Sequence, residues 1–311
     1  MSQQPRVQFK ILGSCSCCGV ELPVLLSRLG AKDIAELKHS ADAAETVEKR
    51  SLQNFNNLFE AYIDETVRRF GHFLNPDMPD LSFVSEREIE LLLLRNKFEA
   101  YKAGLATIRK KELSSLRLAE TPKLPRIPRK YSELMLWWDM VRKKKAPAKI
   151  QLQAKQIKRK YLDKCQQVYK KYSEAFRSGE VYNQKKIVAD VKEAGKTTYS
   201  RAKVIVTTET TNYYNQVRRN YYDQSDTVTH YLYVAIRDHR TTEWCKDRNG
   251  LVYKKGDPIT DRETPGIHPN CRAEMLPLSP FNPKHLALIN NKSLARRNNS
   301  PKPLMKGWNK A

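Results

Sequence analysis

No run of about 18 apolar residues occurs anywhere in the 311-residue chain, so no segment is built to cross a bilayer as a helix. The opening stretch, MSQQPRVQFK, lacks a secretory apolar core, which predicts a chain that stays in the cytoplasm where it is made. Apolar content is modest: 40% of residues are hydrophobic, 29% are charged and the mean hydropathy is −0.68. That balance allows a sizeable core but argues against a compact, core-rich enzyme. It fits elongated helices with much solvated surface. Cysteine is sparse as well, at six residues. In a reducing compartment these are expected to be free thiols or metal ligands.

Other absences exclude particular chemistries. No H-x-E precedes a P-C-x-x-C, so a zinc deaminase is ruled out. No base-reading module is recognisable. The Arg201…Glu209 pair has neither a nicotinamide-binding strand pattern nor a paired catalytic glutamate beside it, which disfavours ADP-ribosyl transfer.

What is abundant is positive charge, a formal net of +23. Such a surplus calls for a polyanionic partner, nucleic acid or an acidic protein surface. It is unevenly spread. Residues 32–108 are slightly acidic, whereas 109–160 hold seventeen Lys/Arg against four acids. From Met275 to Ala311 there are seven Lys/Arg and no acid. The candidate phosphate contacts are therefore Arg142, Lys143, Lys144 and Lys145, with Lys158, Arg159 and Lys160. Tyr161, Tyr169, Tyr172, Tyr213, Tyr214, Tyr221 and Tyr222 are interleaved with cations, a composition also met at nucleic-acid surfaces.

The hydrophobic period divides the chain. Residues 1–41 read as an irregular arm. Over 42–118 two helices are expected, the first carrying Val47, Phe55, Phe59, Tyr62 and Phe70 at three- and four-residue steps. Ser85 and Glu88 form a capping box before the second. Three prolines make 119–130 a basic linker. A basic helical region covers 131–196, with Ile157, Tyr161, Cys165 and Val168 on one stripe. Shorter helices are expected near 180–195 and 198–220, followed by an alternating strand at 229–237. Residues 197–278 form the last domain, and 279–311 an extended basic tail. The fold class is α+β: a mainly helical, elongated N-terminal region with a small, loop-rich C-terminal α+β domain.

The most informative segment is 237–278. Cys245, His268 and Cys271 are three ligands suited to tetrahedral zinc, which would hold a unit with little core of its own. Asp238 or His239 could complete the set, with Asp247 as a further option. Cys245 precedes Asn249-Gly250, read here as a hairpin turn. The thiols of Cys15, Cys17 and Cys18 offer an incomplete second group.

In this region the chain resembles the Mu F-like phage head-morphogenesis proteins. The resemblance rests on a strand followed by D-x-R-T (Asp238, Arg240, Thr241), then Cys245, an N-G turn, and H-P-N-C-R from His268 to Arg272. Upstream, Arg201, Thr208, Glu209, Tyr214 and Asn215 match the family's R…T-E…Y-N pattern. The family usually closes with C-R-C, where this chain has Cys271-Arg272-Ala273. The resemblance implies a minor head protein of the virion, associated with the portal protein and with the major capsid protein or scaffold. It also implies contact with packaged double-stranded DNA. Arg201, Glu209, Arg240 and Arg272 are then structural, Arg201 and Glu209 meeting the β unit through Arg240 or Asp238. The alternatives are a metal-dependent nuclease built on Asp238, His239, Asn249 and His268, or a general nucleic-acid-binding protein.

Overall fold

The computed structural model describes residues 29–70, 78–115, 140, 143, 146–178, 183–235 and 241–295. The CSCC segment, Arg142, Lys144, Lys145, Asp238, His239 and Arg240 lie outside these, as does most of the Pro-rich linker. The elements run α1 (Ala31–Phe70), α2 (Glu86–Ser115), α3 (Ala148–Arg177), α4 (Gln184–Asp223), β1 (His230–Ala235), α5 (Glu243–Arg248), β2 (Val252–Lys254), α6 (Pro258–Arg262), β3 (Ala273–Leu278) and α7 (Pro283–Asn290). The described residues are mainly helical with one small antiparallel sheet, the α+β class expected.

Two compact units share these elements. The helical unit takes α1 from residue 47, α2 to residue 99, α3, and α4 to residue 206. In its core Phe55, Phe59, Tyr62 and Phe70 of α1 and Ile157, Tyr161 and Cys165 of α3, the stripes read from the sequence, meet Ile89, Leu93 and Leu94 of α2. Polar groups carried into this core are paired: Tyr161 and Thr66 hydroxyls lie 2.9 Å apart, and Ser51 donates to Asn96 at 2.8 Å. The Ser85 hydroxyl accepts the Glu88 amide, so the capping half of the expected box is present.

Three boundaries differ from the sequence reading. Helix α1 starts at Ala31, within the stretch read as an irregular arm. Residues 184–223 form one 40-residue helix rather than two short ones. A Cβ at Gly195 would stand 2.3 Å from Ile63 Cδ1, so the glycine marks a close helix approach, not a break. Packing there overrides a propensity cost of about 1 kcal/mol. The expected tail contains α7, and beyond it Ala295 bridges to Val252.

The second unit holds 29–46, 100–115 and 207–295. Its sheet has the order β2-β1-β3. Because side chains alternate, Leu232 and Val234 of β1, Val252 of β2 and Leu276 and Leu278 of β3 share one face, which packs with Leu29 and Leu288. Tyr231, Tyr233, Tyr253 and Met275 occupy the other. That face is buried too. The outer edge of β3 is closed by a side chain: Asn215 of α4 donates to the Ala273 carbonyl at 3.1 Å and accepts from the Met275 amide at 3.2 Å. Two residues on along the same edge stands Pro277, which has no amide to satisfy.

Candidate metal centre

The turn His268-Pro269-Asn270-Cys271 is dictated locally. Proline fixes φ at the second position, Asn270 takes a positive φ of 54°, and the Cys271 amide donates to the His268 carbonyl at 3.3 Å. His268 and Cys271 thereby end up side by side. Cys245 comes from α5, whose cap Thr242 accepts the Cys245 amide through its side chain. Asn249-Gly250 does not close a hairpin, as read from the sequence. Asn249 ends α5, and its side chain accepts the Ala235 amide at 2.9 Å. Gly250, at φ +86°, then turns the chain into β2.

The result is a buried group in which the ligand atoms of Cys245, His268 and Cys271 all lie within 4.8 Å of one another. Cys245 Sγ is 2.7 Å from His268 Nε2, and the Tyr233 hydroxyl lies 3.3 Å from the same sulfur. His268 Nδ1 is 2.9 Å from the Pro269 carbonyl, a contact that places the proton on Nδ1 and leaves Nε2 free to act as a ligand. Hydrogen bonding from Cys271, aided by His268, holds Cys245 well below the ordinary thiol range against the effect of burial. Cys271, facing that thiolate and fully buried, is pushed well above it. Burial alone would lower His268, but the Cys245 sulfur more than offsets it and the imidazole is raised.

These residues fit zinc. Two sulfurs and an imidazole are its preferred donors. The backbone amides of Ala273 and Gly266 hydrogen-bond the Cys271 sulfur, as thiolate ligands are commonly supported. Ala235, Thr241, Thr242, Asn270, Arg272 and Ala273 line a small cleft over Cys245 and His268. Asp238 and His239, read as candidates for the fourth position, lie outside the described residues. Asp247 is described, but the clustered group does not include it.

Helix α4 holds this centre by one face. Thr208 accepts the Asn270 amide at 3.0 Å, Thr211 donates to the Cys271 carbonyl at 2.7 Å, and Asn215 fastens β3. Gly266, at φ +101°, lies directly against α4: a Cβ there would fall 2.4 Å from the Asn212 Cα. Glu209 is buried and hydrogen-bonds Tyr213; burial first, then this carboxylate, raises that phenol. Arg201 lies two turns earlier on α4, half-buried.

Sequence reasoning missed two buried ionic groups. Arg218, 1% exposed, pairs with Glu36 at 3.1 Å and with Glu274, and donates to Ser40 at 2.9 Å. Ser40 and Thr107 both reach the Tyr214 hydroxyl at 2.7 Å. Arg248 forms a two-point pair with Glu263, which also accepts from Tyr253 at 2.7 Å. Nothing in linear spacing signals either group, because their partners lie on different elements.

The tyrosine reading is corrected. Tyr161, Tyr169, Tyr213, Tyr214, Tyr221 and Tyr222 are all buried, and Tyr172 is half-buried and donates to Asp190. They build cores rather than a base-stacking surface. Of the candidate phosphate contacts, Lys143 and Arg159 are exposed and Lys158 and Lys160 half-exposed.

Residues 166–276 match the family described as "Phage Mu protein F like protein". An uncharacterized protein of Haemophilus influenzae is 27% identical over 124 residues, which is 40% of this chain and 26% of that protein. The chain thus spans only about a quarter of that relative's length. No solved structure matches. The matched stretch contains the α4 clamp and all three members of the Cys–His–Cys group, and it is over residues 166–276 that the chain is similar to the Mu F-like family.

Proposed function

We propose that this chain is a minor head protein of a tailed bacteriophage, built into the capsid near the portal during head assembly and facing packaged DNA. The observation that carries the reading is the family match over 166–276, which falls on one continuous structural arrangement: α4 clamping the His268–Met275 segment. In this reading Cys245, His268 and Cys271 hold a zinc ion whose role is to brace a unit with a three-stranded sheet. The ion supplies cross-linking, and a docking surface for portal or capsid neighbours is thereby kept rigid. The net charge of +23 supports contact with DNA phosphates. The experiment is a conditional stop codon in the gene. Loss of infectious particles with normal tails and defective heads is the expected result. An unchanged burst size with normal heads would overturn the reading.

A further inference from the structure

The helical unit is electrically lopsided. Over residues 47–99 the described parts of α1 and α2 carry seven Lys/Arg and eight acids, whereas α3 and α4 up to residue 206 carry fifteen against four. Three of the nine α3 cations are answered locally: Arg159 lies 3.7 Å from Asp163, Lys170 3.8 Å from Glu174 and Lys171 2.7 Å from Asp190. Helix α4 carries its cations in register. Lys185, Lys192, Lys196 and Lys203 are all exposed and stand at intervals of seven, four and seven residues, which is one helix face. Ala189 and Ser200 lie between them, Tyr199 stands on the inner side of the same face, and the exposed Glu193 borders it. None of the four lysines is in an ion pair with a described residue. Asp190, on the neighbouring face, is already held by Lys171 and Tyr172.

Four ammonium groups with no ion pair among the described residues, in a line of about 27 Å, form a positive strip that attracts a polyanion. Tyr199 is turned inward, its ring 6.4 Å from that of Phe59 and its hydroxyl donating to the Leu52 carbonyl, so the face offers little of the aromatic anchoring on which protein partners depend. A charged, smooth polymer is what remains. We propose that the Lys185–Lys192–Lys196–Lys203 face of α4 is a track for the phosphate backbone of duplex DNA, contacted without regard to base sequence. This rests on the DNA-facing reading above and adds α4 to the RKKK and KRK clusters as a phosphate contact.

The test uses the full chain and a short fluorescein-labelled duplex of random sequence, with affinity measured across a salt series. Each phosphate contact contributes roughly 0.9 to the log–log salt slope, so Lys192→Gln/Lys196→Gln/Lys203→Gln should flatten it by nearly 3 and weaken binding at least tenfold. An Arg159→Gln control should change the slope by less than a single contact, and circular dichroism melting should show all variants folded. A steep wild-type slope left unchanged in the triple variant would place the phosphate contacts elsewhere and overturn the track, while leaving the head-protein reading intact. A wild-type chain whose lysine face binds an acidic protein, with no salt-dependent DNA affinity, would also overturn it, and would remove the DNA-facing part of the function as well.

Discussion

Cys271 is the residue on which the candidate metal centre turns. It would supply one donor, accepts two backbone amides and has its own carbonyl held by Thr211. Cys271→Ser should remove bound zinc and lower the melting temperature by several degrees together; zinc content by atomic emission beside a thermal melt checks it. An unchanged melt would count against the brace. The raised His268 makes protons compete for Nε2 at a higher pH than at an ordinary histidine, so acidification should strip the metal. A chelating dye would show release as pH falls, and flat retention into strong acid would contradict the ligand assignment. Gly266→Ala places a Cβ against the α4 backbone at a positive φ, and we expect a loss of about 2 kcal/mol or more by urea denaturation. The turn around Cys271 was legible because Pro269 and Asn270 announce it. The parts played by Thr208, Thr211 and Asn215 were not, since they depend on which face of α4 meets β3.

At the level of elements, long periodic stripes carried most of the information. Phe55, Phe59 and Tyr62, and Ile157, Tyr161 and Cys165, were readable as buried faces because their period leaves one side apolar. The continuous α4 was not readable, because Gly195 looks the same whether it breaks a helix or lets Ile63 approach. Tyrosine misled for a related reason: an amphipathic ring among lysines suits a wet surface or a paired interior equally well. The Arg218 group joins α1, α2, α4 and β3 within one unit. Arg218→Met would leave Glu36 and Glu274, both partly buried, without their buried cation, at a cost of up to about 3 kcal/mol in chemical denaturation. A change below about 1 kcal/mol would show that solvent already screens the pair.

Across the whole molecule, charge and the family match over 166–276 point the same way. No described helix is long and apolar enough to cross a membrane. The surplus of +23 falls in the linker, α3, α4 and the tail rather than in α1 and α2. A capsid protein lying between protein neighbours and compacted DNA needs such an imbalance, since the two partners demand different surfaces. That chemistry was visible in composition alone; which lysines are left unanswered became visible only when α3 and α4 stood beside each other. The most direct test of the account is quantitative mass spectrometry of purified, nuclease-treated phage particles. The account predicts this chain at a few copies per particle, far below the major capsid protein. Its absence from the particles, with the protein present in the infected cell, would contradict the minor head role.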